Sequence, residues 1–310
     1  MTEISQALIP ICLIIAIGYS FRKSGFIPDE TWPGLEKINY YFFLPMLLLG
    51  VISKQSIEDI DWQIPLTVTV LSILSTSLIL LIWHKKRKTV SGARFTSYFQ
   101  GGVRFNTYLT LALSESFYGS QGLVAGSIVC GFIVIQVNLW CLGVFGIWGK
   151  NSGLGITAYF RSIFCNPLIL GCLGGWLISL SGVQPPSVLS DFFDIIGRAV
   201  LPFGLLAVGA ALRLRSVKDH LLGITITSCL QFLWKPSVTF IILLLLPPIS
   251  VLQAGVLMIA FTSPTAPSSY ILAKQLGGDA DIMASMITFQ TFLAFIAFPL
   301  VYSIFSANYL

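Results

Sequence analysis

Runs of about 20 apolar residues recur along this chain from end to end, separated by short polar turns, and that rhythm leaves few folds open. A run of that length is what a helix needs to cross the hydrocarbon of a bilayer. Backbone in lipid must satisfy its own hydrogen bonds, so crossing segments are helices or closed barrels, and the run length here selects helices. Ten spans are expected, over residues 4–21, 35–53, 63–84, 95–117, 122–148, 163–181, 190–212, 220–245, 249–274 and 281–306. Composition agrees: 55% of the residues are apolar and only 10% are charged, against roughly a quarter charged in soluble chains.

Charge placement orients the spans. No basic residue precedes the first, and Arg22-Lys23 follow it. A cleavable signal peptide shows the reverse order, so this segment reads as a retained helix with its N-terminus outside. Of the 18 lysines and arginines, Lys54 alone falls on an outer loop, and Lys37, Arg104, Arg198 and Lys235 fall within spans, leaving 13 on inner loops. The expectation is a multi-pass protein of a plasma or inner membrane with both termini outside the cytoplasm. The net charge of +5 is accounted for by this topology and does not point to nucleic acid. The run Lys85–Lys88 reads as a cytoplasmic anchor. The six cysteines, Cys12, Cys130, Cys141, Cys165, Cys172 and Cys229, lie in or beside spans and read as free, buried thiols.

Two spans are interrupted near their middles, the fourth by Arg104-Phe105-Asn106-Thr107 and the ninth by Ser263-Pro264-Thr265-Ala266-Pro267. Non-helical backbone at that depth is tolerated only inside protein or beside a watery cavity, and paired interruptions in two halves point to a transporter's binding site. In the fourth span Gly101-Gly102 loosens the helix, and Asn106 is placed to cap a second half-helix starting near Thr107. In the ninth, Pro264 and Pro267 remove two N–H donors, and a half-helix starts around Pro267-Ser268. Two helix N-termini then meet from opposite sides, an arrangement that binds carboxylate or phosphate oxygens.

The halves echo one another at a shift of 157 to 159 residues, placing Pro10 on Pro167, Gly18 on Gly175, Gly25 on Gly182, Pro45 on Pro202, Asn106 on Thr265 and Gly119 on Gly278. Five spans per half is odd, so the second half would insert upside down, as in inverted-repeat secondary transporters. The expected units are residues 1–150 and 151–310.

Arg104, deep in its span, is the candidate for attracting an anion. Asp194 and Arg198, one turn apart, read as a pair, and Lys235, just before Pro236, reads as structural. Gln136, Asn138, Thr288, Gln290 and Thr291 sit mid-span, where they would hold the broken helices or line an ion site. An enzyme is not expected: His84 and His220 have no acidic or cysteine partners at metal-ligand spacing, and no phosphate loop or dinucleotide fingerprint occurs. No cofactor or metal is expected, and coupling to protons or sodium is left open.

Several stretches resemble the auxin efflux carrier family: Asn39-Tyr-Tyr-Phe-Phe-Leu-Pro45, Arg104-Phe-Asn106-Thr107, Asn166-Pro167-Leu168-Ile169, Leu201-Pro202 through Gly209, and Ser263 through Lys274. The similarity runs over essentially the whole chain, and the short connection between halves is like that of prokaryotic malonate- or malate-type permeases. The resemblance implies the fold of bile acid:sodium symporters. Spans 1, 2, 6 and 7 would form a scaffold, and spans 3–5 and 8–10 an elevator-like transport domain. It implies that Asn106 and the Pro264–Pro267 segment contact a substrate carboxylate. Phe105 and Tyr108 depart from the family's Gly-Asn-x-Gly and would give the pocket an aromatic wall.

The expected function is secondary transport of a small organic anion. Arg104, Asn106, Thr107, Ser263, Pro264, Thr265, Pro267 and Ser268 form the site, and Asn39, Pro45, Pro202, Gln136, Asn138 and Gln290 are candidates for the cavity wall or an ion site. A membrane sensor that binds the anion without moving it is the alternative. The partners expected are the anion, the bilayer and, through the scaffold helices, a second copy of the chain.

Overall fold

The computed structural model describes residues 2–55, 62–87, 89–150, 165–213 and 220–309. The junction assigned to residues 150 and 151, the start of the sixth span, and Lys88, Arg161, Arg215 and Lys218 fall wholly or partly outside that set. Every regular element among the described residues is helical. In chain order they are α1 (Thr2–Lys23), α2 (Thr31–Ile38), α3 (Leu44–Ser53), α4 (Gln63–Lys86), α5 (Gly92–Val103), α6 (Thr107–Trp148), α7 (Pro167–Leu180), α8 (Ser187–Ala211), α9 (Leu221–Cys229), α10 (Lys235–Leu245), α11 (Val251–Phe261), α12 (Ser268–Leu276) and α13 (Ala280–Tyr309). Seven helical runs are long and apolar enough to cross a membrane, and α7 and α11 are shorter apolar helices.

Prolines explain two irregularities that the sequence pattern does not reveal. Asn39–Phe43 joins α2 to α3, and Leu230–Trp234 joins α9 to α10, each as a single π turn. Pro45 and Pro236 stand at the second position of the helices that follow. Each lacks an N–H and its ring would collide with the carbonyl four residues earlier, which the wider turn relieves. A third irregularity lies inside α6, where Gly119 adopts φ 62°, ψ −150° and folds the helix into two legs. That region is essentially closed to any residue with a Cβ.

Two helix pairs approach closely through glycine. A Cβ on Gly18 of α1 would lie 2.1 Å from the Leu206 carbonyl oxygen of α8, and one on Gly209 of α8 would lie 1.9 Å from that of Ile15. Between α3 and α7, a Cβ on Gly171 would lie 2.6 Å from the Pro45 carbonyl oxygen. Lipid offers no hydrophobic drive between helices, so such backbone-to-backbone contacts supply the cohesion. The four positive-φ residues among those described are all glycines, Gly25, Gly119, Gly182 and Gly277. They fall into two pairs separated by 157 and 158 positions. The second partner is Gly277, where the sequence alignment suggested Gly278.

Polar contacts at the ends revise other expectations. Asp194 pairs with Lys54 at 2.6 Å, not with Arg198. Two unlike charges on different helices meet there, whereas Arg198 points outward and is exposed. Arg22 binds Asp29 at 2.8 Å and the Ala210 carbonyl at 2.5 Å, joining the ends of α1 and α8. The guanidinium holds the Asp29 carboxyl below its usual range. All six thiols are free, but Cys165 and Cys229 are exposed on the surface and only Cys130, Cys141 and Cys172 are buried.

Candidate functional site

The two interruptions lie against each other. Helix α5 stops at Val103, and Arg104 is extended with φ −71°, ψ 161°. Asn106 is extended too, and its Oδ1 accepts from the Leu109 amide at 3.1 Å, the N-cap that starts α6. On the other strand of the crossing, α11 stops at Phe261, and α12 begins at Ser268 behind Pro267. The Thr110 hydroxyl sits 2.9 Å from the Asn106 carbonyl and 3.1 Å from Ser263 Oγ. Ser263 Oγ donates to the same carbonyl at 3.3 Å. The Thr265 hydroxyl donates to the Gln100 carbonyl at 3.3 Å, and Gln100 Nε2 donates to the Ser269 carbonyl at 3.4 Å.

Gly101 and Gly102 do not loosen α5, which runs helical through Val103. They make room instead: a Cβ on Gly101 would lie 2.6 Å from Met286 Sδ, and one on Gly102 would lie 2.8 Å from Leu80 Cδ1. The chain leaves the helix at Arg104 because side chains from other helices take over the carbonyls that the helix abandons. Gln290 of α13 donates to the Gly101 carbonyl at 2.8 Å and accepts from the Thr265 amide at 3.0 Å, so one amide spans both breaks. Gln231 Nε2 donates to the Arg104 carbonyl at 3.2 Å and also to the Ser263 carbonyl. Lys235 Nζ donates to the Val103 carbonyl at 3.4 Å and stands 5.9 Å from the centre of the Phe261 ring. Buried backbone groups need partners, and these side chains provide them.

The sequence-derived candidates divide accordingly. Asn106, Ser263, Thr265 and Gln290 meet at the crossing. Asn138 reaches it through Arg104, whose Nη2 donates to Asn138 Oδ1 at 2.6 Å. Pro264 and Pro267 are buried in the second break, and Thr107 and Ser268 are half-buried at the starts of α6 and α12. Gln136 bonds Thr69 of α4 at 3.0 Å, Thr288 bonds the backbone of Arg213, and the Thr291 hydroxyl bonds its own helix at Ile287, so none of the three holds a break. Asn39 donates to the Val200 carbonyl at 3.2 Å, Pro45 packs on Gly171, and Pro202 is exposed. Gln231 is the residue that sequence reasoning missed, and Lys235, read from the sequence as structural, was not linked to the break. Their spacing of four places them on one helix face, and both are fully buried, but nothing local in the sequence says that this face meets the fourth span.

The local charge is one-sided. Arg104 and Lys235 are buried, and among the described residues no carboxylate forms an ion pair with either; Glu36 of α2 is half-buried on the side of Tyr108. Polar atoms without a protein partner collect here as well: the donors Arg104 Nε and Asn106 Nδ2, and the acceptors Gln100 Oε1 and Gln231 Oε1. Tyr108 packs against the next layer, since a Cβ on Gly204 of α8 would lie 2.4 Å from its ring. No cluster of three His, Cys, Asp or Glu suited to a metal occurs among the described residues. Two cations, free N–H donors and helix N-termini can together neutralise and hydrogen-bond an anion.

Comparison with known proteins bears on what such a site serves. A family model described as "Membrane transport protein" matches residues 3–151 and 154–302. An "Uncharacterized transporter" of Methanothermobacter thermautotrophicus is 21% identical over 299 residues, covering 96% of each chain. A "Putative malonate transporter" of Rhizobium meliloti is 24% identical over 305 residues, covering 95% of this chain and 93% of the relative.

Proposed function

The chain belongs to the membrane transport protein family, and from that premise we propose that it is a secondary transporter of a small organic anion, a mono- or dicarboxylate held where the two breaks cross. It is a multi-pass membrane protein, and its family and relatives are transporters, not enzymes. The observation that carries the anion is the charge at the crossing: Arg104 and Lys235 are buried, and among the described residues no carboxylate pairs with either. Burying unlike charges together would cancel the field, and burying only cations is costly unless an anion returns the balance. The name of the malonate-transporter relative fits this sign.

In this reading Arg104 Nε and Asn106 Nδ2 donate to one carboxylate, supported by being buried donors without a protein partner. The start of α12, with Ser268 and the Ser263–Pro267 segment, faces the other side, and Thr107 lies at the start of α6. Because the Thr265 amide and hydroxyl are engaged by Gln290 and Gln100, its role is to shape the break, not to donate freely.

The fold reading extends to ten spans. Taking α2–α3 and α9–α10 as single crossings, α5 with the first leg of α6 and α11 with α12 as broken ones, the helices make two sets of five, residues 1–150 and 151–310. Support comes from the family match in two segments, from the glycine pairs at matching positions, and from reciprocal packing. The first crossing packs on the seventh (α1 with α8) and the second on the sixth (α3 with α7), as a pseudo-two-fold axis requires. Helices α1, α2–α3, α7 and α8 would form the scaffold, and the rest would move against it. The basic-residue distribution orients both termini outside a plasma or inner membrane.

The experiment is flux of labelled malonate in proteoliposomes. Wild-type protein accumulates or exchanges the label, and Arg104→Gln lowers the flux at least about tenfold, the loss expected when a charged hydrogen bond to the ligand goes. Full flux in an Asn106→Ala, Thr265→Ala double variant would remove the site from the crossing. Binding without flux would make the protein a sensor.

A further inference from the structure

Transporters with broken helices place sodium or a proton at unwound carbonyls and at the C-terminal ends of half-helices. The C-terminal end of α5 is such a place, and in this chain it is already occupied by protein. Three of its last carbonyls, those of Gln100, Gly101 and Val103, and that of Arg104 just beyond it accept from Thr265, Gln290, Lys235 and Gln231 respectively. One of those donors is the amine of a lysine, the group among the four that can carry a positive charge. Lys235 is wholly buried, bonds the Val103 carbonyl at 3.4 Å, and has no carboxylate within salt-bridge distance among the described residues. Its partners are a helix C-terminus, which carries about half a negative charge, and the face of Phe261 at 5.9 Å.

We propose that the Lys235 ammonium is a tethered cation standing where a coupling sodium ion would stand, so that the anion loads without sodium. This rests on the anion-transport reading and gives that site its ion requirement. The geometry offers features that an alkali cation uses: a carbonyl oxygen at the end of a half-helix and an aromatic face. A mobile cation within about 4 Å of the ammonium would meet repulsion worth about a thousandfold in affinity at the effective dielectric of protein sites. Lys235 is therefore a positioning residue. It holds the α5 end in the form that presents Arg104 and Asn106, and it does so with a covalently attached charge. Gln231, one turn earlier, keeps a buried Oε1 without a protein partner. Removing the lysine side chain would free the Val103 carbonyl, an oxygen suited to sodium.

The test uses purified full-length protein in detergent, in sodium chloride and in choline chloride at equal ionic strength. Thermal midpoints are read first without any anion. Wild type is expected to unfold at the same temperature in both salts, whereas Lys235→Ala is stabilised by sodium and Lys235→Arg behaves as wild type. Malonate titrations follow. The wild-type Kd should agree within about twofold between salts, and Lys235→Ala should bind about tenfold more weakly in choline than in sodium. Sodium stabilisation of wild type, or Lys235→Ala indifferent to sodium, overturns the proposal. Should Lys235→Ala not fold, Lys235→Gln replaces it and the wild-type comparison still decides. Failure of malonate and other small carboxylates to bind wild type would count against the anion reading, while the measurements without anion would still judge the tethered cation.

Discussion

Asn106 does two jobs that can be separated by one atom. Its Oδ1 caps α6 through the Leu109 amide, and its Nδ2 is buried without a protein partner, the donor that the proposed site uses. Aspartate keeps the acceptor, so Asn106→Asp should hold the thermal midpoint near wild type, the cap being worth about 1 kcal/mol. The same change replaces the donor with a second negative charge, so malonate binding should fall below detection in a titration. A variant that binds normally would show that Nδ2 does not face the substrate. The break itself was legible because asparagine in an apolar run, flanked by arginine, is costly without a purpose. The partners of Arg104 were legible only in part. Asn138 was noted as a mid-span polar residue, but its 2.6 Å bond to the guanidinium depends on how α6 folds back at Gly119.

Among the helices, α13 shows how a break is stabilised from outside. Gln290 supplies a donor to Gly101 and an acceptor to Thr265, and both backbone groups are buried. Gln290→Ala leaves two unsatisfied groups, so a loss of about 2–4 kcal/mol is expected in reversible chemical unfolding, more than for exposed polar changes. A loss below about 0.5 kcal/mol would mean that water replaces the amide freely. The ends of α5, α6, α11 and α12 were readable from Asn106, Pro264 and Pro267, because capping and missing N–H groups act locally. The π turns were not. They answer to Pro45 and Pro236, which are also compatible with ordinary helix starts, and only packing decides between the two. Lys235 illustrates the same limit: its neighbour Pro236 suggested a structural residue, while its actual partner is a carbonyl more than a hundred positions away.

For the molecule as a whole, apolar runs and basic loops made a helical membrane protein legible, since both follow from the bilayer itself. Which helix packs on which was not, because the glycines that permit close approach look alike in sequence. The proposed motion is testable where Tyr108 of α6 meets Gly204 of α8. Cysteines at these two positions would bring their Cβ atoms within about 4 Å, the separation a disulfide needs. Oxidation of a Tyr108→Cys, Gly204→Cys variant should stop malonate exchange, and reduction should restore it to the level of the unoxidised variant. Exchange that continues with the bond formed would rule out sliding between these layers.

Gln231 gives one nitrogen to both interruptions, the carbonyl of Arg104 on one side and that of Ser263 on the other. With its two hydrogens the amide nitrogen reaches both breaks at once and so links the two halves of the cradle to each other as well as to its own helix. Opening it to one side of the membrane and then the other, by parting the breaks in turn, would mean losing that shared bond twice per cycle. In the proposed cycle the cargo would therefore travel with both breaks still joined around it. On the proposed reading, selection would then fall at loading.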